Sequence, residues 1–210
     1  DGMKKGYQNF EAAIFFTIRD VEMAAVNEGL LEEKFGLAEK YLKCGKVYLE
    51  TYRGGHLVEK EEILRVKKFF DDRGVKTSAG ITTLAYSAWS FKTFCYTNQD
   101  LLEELRKVVK FTAEIFDEII LDDFYFTNCK CASCIEAKGA RSWSQFRTDL
   151  LKEVSEEIVM KTAKETNPRI NMIIKYPNWY EDYQSTGYNL EAEPRIFDSI
   201  YTGTETRNPE

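Results

Sequence analysis

The chain has 210 residues, of which 43% are hydrophobic and 30% charged, and its formal net charge is -6. This length can bury one sizeable core, so we expect a single domain over residues 1–210. The acidic balance disfavours a nucleic-acid partner. No apolar run approaches the roughly 20 residues that span a bilayer, which predicts a soluble protein without a membrane span. The start, DGMKKGYQNF, shows no signal peptide, so the localisation stays open, with the periplasm or secretion among the options.

Strand-like apolar runs alternate with amphipathic stretches along the whole chain. Helical spacing of apolar residues predicts helices over 30–45, Glu59–Gly74, 98–116 and 142–168, the last closed by Asn167 and Pro168. The apolar runs predict six strands, at Ala12–Asp20, Lys46–Arg53, Val75–Thr83, Asp117–Phe124, Arg169–Trp179 and Ile196–Glu205.

Strict alternation of strands and helices predicts an α/β fold with a parallel sheet. Two architectures compete, the doubly wound open sheet and the (β/α)8 TIM-type barrel. The chain contains neither the glycine fingerprint of dinucleotide-binding sheets nor a P-loop. Nearly every strand instead ends in polar or charged residues, as in barrels, whose active sites lie at that end of the strands. We therefore favour the barrel. Since it needs eight strands, six indicate a fragment whose missing C-terminal part lies beyond Glu210.

Two adjacent carboxylates, Asp122 and Asp123, follow the apolar run EIIL of the fourth strand. Neighbouring strand residues point to opposite faces, so one of the two is expected to enter the barrel mouth, and its position at the strand exit favours Asp123. Glu205 follows the sixth strand and can face them across the mouth. Two carboxylates flanking a sugar bond hydrolyse it, one as an acid of raised pKa. The alternative for the aspartates is a helix cap or a solvated turn.

Several further residues near strand ends are candidates for substrate binding. Glu50 and Arg53 end the second strand, although they could instead form an ion pair that closes the barrel top. His56 could donate to a sugar hydroxyl, although a lone loop histidine is often only solvated. The remaining candidates are Arg19, Lys175, Trp179 and Tyr201; aromatic rings such as Trp179 stack on sugar rings.

Three of the five cysteines, Cys129, Cys131 and Cys134, form a C-x-C-x-x-C run after the fourth strand. Zinc in structural sites takes four ligands in a tetrahedron, and Cys95 could reach the same end of the barrel as the fourth. The alternatives are free thiols or, in an exported protein, one disulfide. Cys44 lies at the opposite end of the predicted barrel, and we expect it to be an ordinary buried thiol.

This cysteine run, followed by a helix with Trp143 and Phe146, resembles the family 42 beta-galactosidases and related barrel glycosidases. The resemblance covers Asn98–Phe146 and implies a structural zinc bound by Cys95, Cys129, Cys131 and Cys134. That family ends the fourth strand with Asn-Glu, whereas this chain has Asp122-Asp123. The aspartate exit is similar to barrel glycosidases in which a strand-four aspartate is the nucleophile and the acid lies on strand six, which fits Glu205.

The sequence therefore predicts a glycoside hydrolase that acts on O-glycosidic bonds of an oligo- or polysaccharide. Its partner is a carbohydrate substrate, and its one expected cofactor is the structural zinc. Two alternatives remain, a carbohydrate-binding barrel without catalysis and a metal-dependent barrel hydrolase of another substrate. The second would need oxygen or histidine ligands at the mouth, and the chain has one histidine.

Overall fold

The computed structural model describes residues 7–85, 92–178 and 180–203. Its strands are β1 (Ala12–Phe16), β2 (Cys44–Arg53), β3 (His56–Leu57), β4 (Lys76–Thr82), β5 (Leu84–Ala85), β6 (Lys92–Thr93), β7 (Glu118–Leu121), β8 (Asn171–Tyr176) and β9 (Ser199–Thr202). Its helices are α1 (Ile18–Val26), α2 (Glu28–Tyr41), α3 (Lys60–Asp71), α4 (Gln99–Ala113), α5 (Ala132–Lys138), α6 (Trp143–Val154), α7 (Lys161–Thr166), α8 (Tyr183–Thr186) and α9 (Glu193–Ile196). A π-helical stretch, Ser155–Met160, joins α6 to α7, and a 3-10 turn spans Tyr180–Asp182.

The six predicted strands are confirmed and form one sheet in the order β1-β2-β4-β7-β8-β9, with all five pairings parallel. Each new strand joins the same edge of the sheet, as in a barrel; a doubly wound sheet reverses its order at a switch point. The short β3 pairs antiparallel with β2, and β5 and β6 form a separate hairpin.

The sheet is curled into a half-barrel. Side chains of β1 (Phe15), β2 (Tyr48), β7 (Ile120) and β9 (Tyr201) line a single cavity of about 490 Å³. In a flat sheet, strands roughly 4.8 Å apart would leave β1 and β9 on the order of 24 Å from each other. The cavity is therefore the concave face of the sheet, where a barrel has its interior.

The core lies on the opposite face, between the sheet and the helices. Alternate residues of four neighbouring strands are fully buried there, and burial of each of the larger aliphatic side chains among them stabilises the fold by about 1.5–3 kcal/mol. They are Val47 and Leu49 in β2, Ala79 and Ile81 in β4, Ile119 and Leu121 in β7, and Met172 and Ile174 in β8. None of the described helices is long and apolar enough to cross a membrane.

A belt of polar side chains crosses the concave face near the amino ends of the strands. Glu118 on β7 is its centre: its carboxylate accepts from Lys46 Nζ, from Ser78 Oγ at 2.8 Å and from Asn171 Nδ2 at 2.9 Å. Ser199 Oγ in turn donates to Asn171 Oδ1 at 2.9 Å. Burial would raise the pKa of Glu118, but these hydrogen bonds, Lys46 foremost, lower it. These side chains join five adjacent strands. We call the set of Lys46, Ser78, Glu118, Asn171 and Ser199 the polar belt.

Helix α1 differs from the sequence prediction, which extended the first strand to Asp20. The strand ends at Phe16, and Thr17 caps a helix that starts at once. Asp20 Oδ2 accepts from Thr17 N at 2.9 Å, and Thr17 Oγ1 accepts from Asp20 N at 3.5 Å, the reciprocal pattern of a capping box. Arg19 is consequently an exposed residue of the first helical turn, and the prediction that it ends a strand is wrong.

Candidate active site at the carboxyl ends of the strands

Four charged side chains meet where β2, β7 and β8 end. Lys175 Nζ lies 2.9 Å from Asp122 Oδ1 and 3.3 Å from Asp123 Oδ2, so that one ammonium group bridges both aspartates. Arg53 Nη2 approaches Asp122 Oδ2 at 3.7 Å. Arg53, Asp122 and Lys175 line the cavity on the concave face of the sheet. This end of the cavity therefore presents a carboxylate held between two cations.

The charge of Lys175 is stabilised by its neighbours. Burial alone would lower the pKa of Lys175, because the charged form loses solvation. The carboxylate of Asp122, and then that of Asp123, more than offset this loss, and the pKa of Lys175 is raised. The lysine therefore stays protonated at neutral pH and serves as a fixed positive charge.

Asp122, rather than Asp123, lines the cavity. The alternation of β7 explains this placement: Ile120 faces the cavity while Ile119 and Leu121 are buried in the core, so position 122 falls on the concave face. Asp123 follows on the opposite side of the chain, although its carboxylate still reaches Lys175. The expectation that Asp123 is the inward carboxylate thus differs from the observed geometry.

Glu50 is fully buried, and the hydrogen bonds it makes are internal. Its Oε2 accepts from Ile18 N at 2.7 Å and from Arg53 Nε at 2.9 Å, while Oε1 accepts from the Thr82 hydroxyl. This geometry corresponds to the ion-pair alternative, in which Glu50 orients Arg53 and joins β2 to the start of α1. Arg53 itself remains 28% exposed and lines the cavity.

The other predicted binding residues are spread more widely. His56 follows a turn in which Gly54 and Gly55 both have positive φ, and its Nε2 lies 2.5 Å from Glu22 Oε1, with the side chain 59% exposed. Tyr201 is 49% exposed and lines the cavity. Glu205 and Trp179 lie outside the described residues.

The four predicted cysteines converge. The Sγ atoms of Cys95, Cys129, Cys131 and Cys134 all lie within 4.8 Å of one another, and Cys95 Sγ is 3.7 Å from both Cys131 Sγ and Cys134 Sγ. A tetrahedron with metal–sulfur bonds of about 2.3 Å has sulfurs on the order of 3.8 Å apart. The cluster therefore has the spacing of a four-thiolate metal site, and all four thiols are free.

Local hydrogen bonding favours the thiolate form of one cysteine in this cluster. Hydrogen bonding by Cys134, through its backbone and then its side chain, lowers the pKa of Cys131 to about 6. Burial has the opposite effect on the thiols of Cys129 and Cys134, whose pKa values are raised. Since the metal-binding form of cysteine is the thiolate, binding would release protons from these last two.

A buried carboxylate behind the site was not predicted from sequence. Glu193, at the start of α9, has no exposed surface; Tyr176 OH donates to its Oε2 at 3.1 Å, as does Asn189 N at 3.0 Å. Within the described residues its Oε1 has no hydrogen-bond partner. Burial raises the pKa of Glu193 to about 7. The surrounding segment EAEPRIF carries no motif that indicates a buried acid.

Tyrosines connect this region to the aspartates. Tyr188 is fully buried, and its hydroxyl donates to the backbone carbonyl of Asp123 at 2.7 Å. Its ring packs against Tyr176 and Tyr183, with centroids 5.6 and 5.4 Å away. The tyrosines therefore form part of the core that supports the end of β7.

A sequence model of the family described as "Probable glycosyl hydrolase, catalytic domain" matches residues 2–210. The uncharacterized protein SSO3021 of Saccharolobus solfataricus is 29% identical over 234 residues, which cover 95% of this chain and 38% of that protein. The chain thus spans well under half the length of this curated relative.

Two solved structures show limited similarity. The virulence factor SghA from Agrobacterium tumefaciens aligns with a TM-score of 0.40 and 11% identity, over 72% of this chain and 37% of its own. Its complex with the substrate analog salicin aligns with a TM-score of 0.41 and 11% identity, over 73% and 37% respectively.

Proposed function

The chain belongs to the family "Probable glycosyl hydrolase, catalytic domain", and from this premise we propose that it cleaves O-glycosidic bonds of an oligo- or polysaccharide with carboxylates at its strand ends. Membership of this family supports a glycosidase activity. The observation that carries the residue assignment is the position of Asp122, a carboxylate that lines the concave cavity and is held by Lys175 and Arg53.

In this proposal Asp122 acts on the anomeric carbon. A carboxylate that already accepts from Lys175 at 2.9 Å is suited to attack or to stabilise positive charge, rather than to donate a proton. The transition state of glycoside cleavage resembles an oxocarbenium ion, which a fixed negative charge stabilises. Lys175 and Arg53 restrict the movement of the carboxylate, and Glu50 orients Arg53.

The proton for the leaving oxygen has to come from a second group. We assign this role to Glu205, which follows β9 in the sequence; β9 is two strands from β7 in the sheet order. Asp123, bridged to Asp122 through Lys175, is assigned the role of fixing that lysine. A separation of roughly 5–5.5 Å between acid and nucleophile would give a retaining enzyme, and roughly 6.5–9.5 Å an inverting one.

The proposal includes a complete (β/α)8 barrel. Two observations support it, the sequential strand order and the curl that brings β1 and β9 to one cavity. Within the described ranges, β1 and β9 each have a neighbouring strand on one side only. Two further strands between them would close the sheet and cover the exposed ring of Tyr201.

The experiment uses the full-length protein with a panel of aryl glycosides and polysaccharides. Asp122→Asn and Glu205→Gln should each lower kcat by about 10²-fold or more, as loss of a catalytic carboxylate does. Asp72→Asn, an exposed aspartate paired with Lys68, is the matched control. Wild-type rates in Asp122→Asn would refute its role, whereas sugar binding without any hydrolysis by the wild type would support the non-catalytic alternative.

We further assign the cysteine cluster to zinc, which would hold the loop after β7 in place. The fit rests on four thiols at tetrahedral spacing. Elemental analysis should find about one zinc per chain. Cys134→Ser should abolish this, whereas Cys44→Ser, which alters the thiol outside the cluster, should not. Zinc retained by Cys134→Ser would refute the assignment.

A further inference from the structure

Arg147 on α6 is a buried cation without an acidic partner. Its relative exposure is 6%, and among the described residues no carboxylate lies within ion-pair distance of it. The side chain instead donates to two backbone carbonyls, from Nη1 to Ser185 at 2.5 Å and from Nη2 to Cys129 at 3.5 Å. Its Nε is buried and has no hydrogen-bond partner within the described part of the chain. A charge in such a position requires compensation from its surroundings.

The cysteine cluster would supply this compensation once it holds a metal. Arg147 contacts the cluster directly, since its Nη2 donates to the backbone carbonyl of Cys129. Four thiolates around a divalent cation carry a net negative charge, so a neighbouring guanidinium stabilises the loaded site. The guanidinium also stacks on the ring of Trp143, 4.9 Å from its centroid, which fixes its plane.

The same arginine holds the segment that reaches the aspartates. Ser185, its acceptor, belongs to α8, and the next carbonyl, that of Thr186, accepts from Thr127 N at 2.9 Å. Gly187 then packs directly on α6: a Cβ there would lie 3.1 Å from the carbonyl oxygen of Arg147. Two residues beyond Thr186, Tyr188 donates to the backbone carbonyl of Asp123 at 2.7 Å.

We propose that Arg147 is a positioning residue that couples the metal site to the catalytic strand end. Its guanidinium balances the charge of the thiolates and ties the cysteine loop to the segment Tyr183–Tyr188, which fixes Asp123. This inference rests on the proposed zinc site, and it adds a residue that is neither a metal ligand nor a group in contact with substrate.

The test measures zinc affinity in the full chain, with zinc alone and a competing chelator. Arg147→Met removes the charge while it keeps an unbranched apolar stem, and it should weaken zinc binding by about 10–100-fold, as loss of a partner behind the ligands does. Arg147→Lys retains the charge and should bind zinc more tightly than Arg147→Met. Arg106→Met is the matched control, because the Arg106 side chain on α4 is 39% exposed and pairs with Glu103 at 3.2 Å.

A second readout follows amide hydrogen exchange of Tyr183–Tyr188 in the zinc-loaded protein. In Arg147→Lys, whose ammonium group cannot donate to both carbonyls, the amides of Tyr183–Tyr188 should exchange faster than in wild type. This measurement remains possible if Arg147→Met fails to fold. Zinc affinity in Arg147→Met within about twofold of wild type, or wild-type exchange in Arg147→Lys, would overturn the proposal. Wild-type protein that binds no zinc would overturn it together with the metal site, whereas the glycosidase proposal would stand.

Discussion

Glu193 makes the stability of the fold depend on pH in a direction opposite to that of most carboxylates. The residue has no exposed surface, and burial raises its pKa from 4.5 to about 7. Between these two pH values the folded chain keeps a proton that the unfolded chain has lost. The free energy of unfolding must therefore fall as pH rises through this range, since the native state binds more protons.

The magnitude follows from the two pKa values. They differ by about 2.5, and each pH unit of difference corresponds to about 1.4 kcal/mol, so the ionisation of Glu193 costs at most ~3 kcal/mol above pH 7. The cost vanishes below pH 4.5, where both states are protonated. Glu193→Gln mimics the protonated form and retains an acceptor for Tyr176 OH and Asn189 N. It should therefore gain stability over wild type as pH rises, by up to ~3 kcal/mol.

Urea unfolding followed by circular dichroism at pH 4.5, 5.5, 6.5 and 7.5 measures this difference. Any fixed cost of the buried amide is the same at every pH and cancels when the curves are compared. Glu191→Gln, an exposed glutamate two positions earlier, is the control and should track wild type throughout. A difference between wild type and Glu193→Gln that stays constant from pH 4.5 to 7.5 would refute the reasoning.

Two further predictions concern stability. Gly187→Ala should lower the free energy of unfolding by about 1–3 kcal/mol in thermal melts, because φ at Gly187 is +108° and a Cβ there would lie 2.7 Å from Leu151 Cδ1. The control is Gly36→Ala, which should leave stability unchanged or increase it, because no atom lies within 4 Å of its Cβ. Equal losses of stability in the two variants would contradict this reasoning. Glu118→Gln should cost about 1–3 kcal/mol at pH 7, since it breaks the ion pair with Lys46. Because the folded-state pKa of Glu118 is lowered, this deficit should shrink as pH falls below 4.5; a deficit independent of pH would rule out the ion pair as its source.

The strands could be predicted from the sequence because each contains a run of apolar residues that short loops do not have. Helix α1 was missed since a single residue, Thr17, separates it from β1. The capping pattern was nevertheless visible as Thr17 followed by Asp20 three positions later. The short helix α5 was hidden by the cysteines, whose spacing indicated a loop.

The site was predicted in part, because strand ends reveal which residues gather but not what each one contacts. The inward direction of Asp122 could have been read from Glu118 and Ile120, which share its period on β7. The hydrogen bond from Ile18 N to Glu50 could not be predicted from the sequence, since it depends on where α1 starts. Glu193 and Arg147 owe their properties to burial by distant segments, which leaves no local pattern.

The polar belt specifies how the strands align. Each of its members, Lys46, Ser78, Glu118, Asn171 and Ser199, lies on a different strand, and each side chain faces the concave side. If β2 slid by a single residue, Lys46 would turn toward the helices and leave Glu118 with an unmet charge. A slip of one of the other strands would break the hydrogen bonds that its member makes within the belt. An apolar layer would tolerate such a slip far better, because one aliphatic side chain can replace another. The belt therefore selects one alignment of five strands over its near neighbours, and with it the height at which Asp122 and Lys175 emerge side by side.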